Sequence, residues 1–287
     1  MNLLISGATG FVSNSIRCNL DKNINSVKKL GLISSKINSK VLLDNLNISP
    51  ELIDLQNFFN CKFNSFYDVY IHSMSAPRNS KTRYKLNLIN LKKSLEVCLT
   101  KNIKTFVYLS SGAVYKKKES FFKEKDITVS SDEMQNTYAY AKLKEEDVVR
   151  EFCQNNKINF IILRLFSFAG RLMMNRKEFA IIDLFNSAIN NGILVVKNPK
   201  VIRSYMHEYD LGMAIISIIS NIDAANKYIN IGSPEPITMR ELGYKISEIT
   251  SANLVLENSD YKDFYVPNTD QQKKFYKKKL FSIDSII

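Results

Sequence analysis

Leu3-Leu4-Ile5-Ser6-Gly7-Ala8-Thr9-Gly10-Phe11-Val12-Ser13 is the stretch that decides the fold. An apolar run short enough for a buried strand ends at Ser6, two glycines follow, and a helical period opens at Val12 and runs to Leu20. In that setting Gly7 takes the tight turn and Gly10 lets the backbone approach a diphosphate. The free N–H groups around Thr9, Phe11 and Val12 attract phosphate oxygens, the pattern of a dinucleotide-binding turn. Ser13 stands where a third glycine is usual; a small residue there still permits close packing of helix on strand.

Outward from this turn, apolar runs alternate with helical stretches. Lys29 to Ile33, Val69 to His72, Phe106 to Ser110, Phe160 to Leu165, Ile193 to Val196 and Tyr228 to Ile231 read as strands. Val12 to Leu20, Lys85 to Thr100, Met134 to Gln154 and Phe179 to Asn190 read as helices. The alternation predicts an α/β protein with a Rossmann-type, doubly wound parallel sheet. From Arg171 onward the pattern is less regular and carries Pro199, Pro234, Pro236 and Pro267. The expected division is residues 1–170 as an NAD(P)-binding domain and 171–287 as a smaller C-terminal substrate-binding lobe, with segments of about 201–232 returning to the sheet.

The second strand ends in Ile33-Ser34-Ser35-Lys36, with no carboxylate to hold a ribose 2′-hydroxyl. The cofactor is therefore NAD or NADP, with Ser34 and Lys36 favouring the 2′-phosphate of NADP. Asp44 stands where a loop reaches the adenine.

Ser110-Ser111-Gly112-Ala113-Val114-Tyr115 follows a strand, and Tyr138-Ala139-Tyr140-Ala141-Lys142 lies within a helix. A Tyr and a Lys at i and i+4 share one helix face. A phenol is a poor base at neutral pH unless an adjacent ammonium stabilises its phenolate. Ser111, at the carboxyl end of a parallel strand, is placed to hydrogen-bond the substrate oxygen that loses its proton.

With these residues in place the chain resembles the extended short-chain dehydrogenase/reductases, in particular the NAD-dependent epimerase/dehydratase group acting on nucleotide sugars. The resemblance extends through Asp68-Val69-Tyr70-Ile71-His72, Asn87, Leu163-Arg164 to Gly170, Arg203-Ser204-Tyr205 to Asp210-Leu211, and Tyr228 to Gly232. It implies Ser111, Tyr138 and Lys142 as catalytic residues, with Tyr138 and Lys142 also touching the cofactor, Asn87 as the active-site Asn, and Arg203 as the anchor of the substrate diphosphate. Arg78 is a second candidate for that diphosphate. It further implies hydride transfer at sugar C4, a role in surface-polysaccharide sugar synthesis, and a homodimer formed through a helix pair that includes the Tyr138 helix. Relatives that dehydrate carry Asp-Glu after the catalytic Ser/Thr, and decarboxylases a Glu in the second place. Gly112 and Ala113 occupy those positions here, favouring a 4-epimerase or 4-ketoreductase over a 4,6-dehydratase or decarboxylase. Lys116 and Met74 also depart from the family's usual small residues.

Composition excludes other classes. Two His and four Cys without a C-x-x-C pair argue against a metal site or a disulfide framework. The apolar stretch Leu211 to Ile219 is far short of the ~20 residues a membrane span needs, and no leader pattern follows Met1, so a cytoplasmic protein without membrane contact is expected. The formal charge of +12 comes from 31 Lys and only 9 Arg, alongside 30 Asn. An RNA-binding protein on the same fold is the alternative of another class, resting on Lys116 to Lys118 and Lys273 to Lys279. It lacks interleaved Arg and aromatic residues, so nucleic acid is the weaker reading.

Overall fold

The computed structural model describes residues 1–20, 27–35, 48–76, 82–130, 137–173 and 179–287. The strands are β1 (Asn2–Ser6), β2 (Lys29–Ser34), β3 (Glu51–Asp54), β4 (Val69–His72), β5 (Thr105–Ser111), β6 (Asn159–Leu165), β7 (Phe168–Ala169), β8 (Ile193–Val196), β9 (Ile202–Arg203), β10 (Met206–His207), β11 (Lys227–Ile231), β12 (Ile237–Thr238), β13 (Asn253–Leu256) and β14 (Phe264–Tyr265). The helices described are α1 (Phe11–Leu20), α2 (Leu55–Phe59), α3 (Arg83–Thr100), α4 (Tyr138–Asn155), α5 (Ala180–Asn191), α6 (Glu208–Ile219), α7 (Met239–Thr250) and α8 (Asp270–Phe275).

Seven strands form one parallel sheet in the order β11-β6-β5-β4-β1-β2-β3. The order reverses between β1 and β4, and at such a switch point a crevice opens beyond the carboxyl ends of the strands. Strands covered on both faces read as continuous apolar runs, and alternate residues then feed two cores. Leu3 and Ile5 of β1 join the core shared with α1 and α6. Leu4 faces the opposite core, with Tyr70, Phe106, Leu91 and Val149 from β4, β5, α3 and α4.

The glycine turn is built as its residue types require. Gly7 has φ +64°, and a Cβ there would lie 2.6 Å from the Ser73 carbonyl oxygen after β4, so any side chain would collide with backbone. The Ser13 departure is absorbed: its buried hydroxyl donates to the Ser6 carbonyl at 3.4 Å, tying helix to strand. Helix α6, apolar nearly all round, is a core helix. It crosses α1 so closely that a Cβ on Gly212 would meet the Ser15 carbonyl oxygen at 2.2 Å. No helix among the described residues is long and apolar enough to cross a membrane.

Two readings need correction. Ile193 to Val196 is a strand, but it pairs with β13 in a separate two-stranded parallel unit. The place beside β6 in the main sheet is taken by β11, and β8 alternates exposed and buried residues where a central strand would be buried on both faces. The helix read from Met134 begins, within the described residues, at Tyr138, where the Thr137 hydroxyl caps the Tyr140 N–H at 3.3 Å. Tyr138 is thus in the first turn, at the open end of the helix.

His207 and Glu208, for which the sequence suggested no role, are structural. His207 Nδ1 accepts from the Tyr209 N–H at 3.0 Å and caps α6, while Glu208 accepts from the Leu172 N–H at 2.9 Å. Asp210 fastens the C-terminal segment by accepting from the Tyr276 hydroxyl at 2.9 Å and the Phe281 N–H at 2.7 Å.

Candidate active site

A cleft of about 540 Å³ opens at the carboxyl edge of the sheet, with Val12, Ser111, Tyr138, Lys142 and Arg203 in its walls. Four elements converge here. The end of β5 delivers Ser111, the first two turns of α4 deliver Tyr138 and Lys142, β9 delivers Arg203, and the start of α1 forms one wall.

Ser111 is buried and its hydroxyl caps the turn that follows, accepting from the Ala113 N–H at 3.2 Å. It also lies 3.5 Å from the Tyr265 hydroxyl. Tyr265 was not foreseen; it reaches the site because β14 pairs with β9. Burial pushes its phenol far above the usual range, so it stays neutral beside Ser111. Tyr138, by contrast, is 41% exposed and borders the cleft.

Lys142 donates to the Tyr108 hydroxyl at 2.7 Å and the Leu109 carbonyl at 3.0 Å, and stands 3.4 Å from a carboxylate oxygen of Glu145. Next to it is a small polar cavity of about 60 Å³ lined by His72, Met74 and Asn87 among others. Asn87 Oδ1 accepts from the Ala76 N–H at 2.7 Å, so this Asn braces the segment after β4 against α3.

His72, 3.2 Å from the Tyr70 hydroxyl, is pushed down to about 3 by burial and by the Lys142 charge. It is neutral in the fold, whereas the unfolded chain takes up a proton near pH 6.5. The stability this contributes is complete above pH 6.5 and is lost as pH falls from there toward 3, with a slope of up to about 1.4 kcal/mol per pH unit. His72→Asn is expected to flatten the stability profile between pH 6.5 and 5, as measured by urea unfolding at several pH values; an unchanged slope would contradict the neutral assignment.

Arg203 lines the cleft but is not idle. Its Nη2 donates to Asp263 Oδ2 at 2.6 Å and its Nη1 to the Ile202 carbonyl at 2.8 Å. A second cleft cation, Arg83, opens α3 and donates to the Ser75 hydroxyl at 3.4 Å. Arg83 and Asp263 were both missed in the sequence, where each looks like an isolated surface charge.

The fit to a dinucleotide can be judged on this geometry. Gly10 and Gly7 close the turn with a 2.8 Å backbone bond, and Asn14 is the first residue whose N–H reaches back to the turn, at 2.9 Å to Gly10. The N–H groups of Phe11 and Val12 therefore have no helical acceptor, as at any helix start. The Phe11 ring stacks on Phe168 at 5.0 Å, so Phe11 serves through its backbone. Thr9 is exposed on the turn. This cradle suits a diphosphate. Ser34 is buried at the end of β2. Lys36, Asp44 and Arg78, also read as ligand-facing, lie outside the described residues.

Sheet order, glycine cradle and the Ser, Tyr, Lys cluster together define a nucleotide-cofactor enzyme of the Rossmann class. The profile of the NAD dependent epimerase/dehydratase family matches residues 3–232, and the chain belongs to that family. Among relatives it is 25% identical over 272 residues to the dTDP-D-glucose 4,6-dehydratase of Dictyostelium discoideum, covering 86% of this chain and 62% of that protein. The chain thus spans less than two thirds of that relative's length. It is 24% identical over 276 residues to a Bacillus subtilis (strain 168) protein described as an uncharacterized UDP-glucose epimerase, YtcB, covering 91% of this chain and 85% of that one. In fold it is similar to the UDP-glucuronic acid 4-epimerase of Bacillus cereus, solved with UDP-glucuronic acid and NAD, with a TM-score of 0.81, 18% identity, and coverage of 100% of this chain and 96% of that one.

Proposed function

We propose that this enzyme is an NAD-dependent 4-epimerase of a nucleoside-diphosphate sugar, with 4-ketoreduction as the nearest variant. The observation that carries the reading is the convergence of Ser111, Tyr138, Lys142 and Arg203 on one cleft that Val12, just after the glycine turn, also borders. In this reading Tyr138 takes the proton of the sugar C4 hydroxyl, Ser111 hydrogen-bonds O4, and Lys142 keeps a positive charge beside the phenol. A dinucleotide held by its diphosphate at the N–H groups of the glycine cradle would supply the acceptor of the C4 hydride and its return. Return to the opposite face of the transient 4-keto sugar inverts C4, and Tyr138 gives its proton back to O4.

Elimination across C5 and C6 needs further acid and base groups. Gly112 and Ala113 have no such groups, and the carboxylates beside the cleft, Asp263 and Glu145, are engaged by Arg203 and Lys142. That favours epimerisation over the activity of the dehydratase relative. The RNA-binding alternative is set aside, because the relatives are described as sugar-nucleotide enzymes. For the cofactor we favour NAD over the NADP first suggested by Ser34 and Lys36: the Bacillus cereus epimerase was solved with NAD, and an enzyme that regenerates its cofactor each turnover does not need NADPH. A homodimer through a helix pair that includes α4, a cytoplasmic location, a role in polysaccharide sugar supply, and a division near residue 170 complete the proposal.

The test is to denature the purified protein and weigh the released cofactor, then incubate fresh protein with UDP-glucuronic acid, UDP-glucose and UDP-N-acetylglucosamine and identify products by NMR. Retained NAD and a C4 epimer are expected. A 4-keto-6-deoxy product would replace the reading with dehydration.

Arg203→Ala should raise KM by roughly 10- to 100-fold with little change in kcat, the loss of one charge-assisted anchor. Steady-state kinetics check this, and an equal fall in kcat would assign Arg203 to the chemistry instead.

A further inference from the structure

We propose that Glu145 is a positioning residue that offsets the charge of Lys142 and thereby sets the pH at which Tyr138 becomes a base. The inference rests on the reading of Tyr138 and Lys142 given above and adds to it a carboxylate that this reading does not use.

Glu145 sits one turn after Lys142 on α4 and is buried, with Oε2 at 3.4 Å from the Lys142 ammonium. The Tyr108 hydroxyl donates to the same Oε2 and itself accepts from Lys142 at 2.7 Å. A closed triangle of ammonium, phenol and carboxylate results. Packing does not account for it. The second oxygen, Oε1, is buried without a hydrogen-bond partner, although Glu145 lines the 60 Å³ polar cavity beside Asn87. A buried carboxylate oxygen left without a donor is destabilising, so an apolar residue would hold the fold better here.

Its effect follows from the charges around Lys142. From β4 it faces His72, neutral; from β5, Tyr108, held neutral by burial and by the Glu145 charge; from α4, Glu145, with Tyr138 one turn earlier on the helix in the same cleft. Asn87, from α3, carries no charge. Arg83 and Arg203 stand elsewhere in the same cleft, and on its other side Tyr138 borders Lys116, Lys117, Asp263 and Tyr265, none of which Glu145 touches. Glu146, next in sequence, is committed to Arg164. Glu145 is therefore the carboxylate that opposes Lys142. An ammonium stabilises a nearby phenolate, and a carboxylate 3.4 Å from that ammonium cancels much of this field. An ammonium so opposed lends less support to a negative charge on Tyr138 than an unopposed one would.

The probe is phenolate absorbance, titrated as the difference between the full-length protein and its Tyr138→Phe counterpart, which isolates one tyrosine among fourteen. In the Glu145→Gln background the midpoint should fall by about one pH unit, and the acid limb of the kcat/KM profile should fall with it. In the Tyr108→Phe background Glu145 loses its donor and pairs with Lys142 alone, so both should rise. A structural role would lower the plateau without moving either midpoint, and unmoved midpoints overturn the proposal. If Glu145→Gln does not fold, Tyr108→Phe decides alone, by a rise or its absence. Failure of the underlying reading looks different: the wild-type protein would then show no turnover at C4 that Tyr138→Phe abolishes.

Discussion

Tyr138→Phe is expected to reduce turnover of the nucleotide sugar by about 10²- to 10⁴-fold while the protein stays folded and keeps its cofactor. The change removes a single hydroxyl from a ring that is 41% exposed, so the core loses nothing. The cradle that would hold the dinucleotide lies on β1 and α1, away from this substitution. Three measurements belong together: the rate of C4 inversion, the thermal midpoint, and the mass of cofactor released on denaturation. Turnover within threefold of wild type would place the base elsewhere. Loss of cofactor together with activity would make Tyr138 a binding residue in the main.

The second large effect concerns stability. Glu146→Ala should destabilise the fold by about 3–5 kcal/mol, the range for removing one partner of a buried ion pair. Glu146 and Arg164 are 1% and 6% exposed and pair through two bonds of 2.7 and 3.0 Å. Ser110 donates to the same carboxylate, and the guanidinium lies between the rings of Tyr115 and Tyr228, each 4.8 Å away. Burial alone would lower the Arg164 pKa; the paired Glu146 more than offsets this and holds it above the usual value. Without Glu146 a charged group is left in the interior between β5, β6 and α4. A drop in thermal midpoint on the order of 10 °C should follow. Because Ser110 adjoins Ser111, a smaller loss of activity should accompany it in the surviving fold. A midpoint within 2 °C of wild type would mean that the site relaxes to admit water.

How far the sequence carried depended on the range of the interaction. The glycine turn, the strand cores and the Tyr138 to Lys142 spacing are local, and each was legible in a few consecutive residues. Strand β3 was not, because Glu51–Asp54 is four residues long and offers too little period to distinguish it from a loop. Periodicity found β8 but not its partner, since pairing is chosen by distant segments. Tyr265 enters the site through β14, a two-residue strand some sixty residues from Arg203 in the chain, and Asp263 immediately precedes that strand. Glu145 was hidden differently. Lys144-Glu145-Glu146-Asp147 looks like a solvated charged face, yet Glu145 and Glu146 fall three and four residues after Lys142, on the side that Val149 and Cys153 bury. That period was the available signal.

The return of β11 to the sheet, beside β6, has a consequence for how such an enzyme can change over time. The chain completes its cofactor platform only after it has already built β8, β9 and the walls around Arg203. The portion proposed to grip the sugar is therefore stitched into the portion proposed to grip the cofactor and cannot be exchanged as a cassette. New substrate preferences would have to arise by editing single wall residues and loop lengths in place.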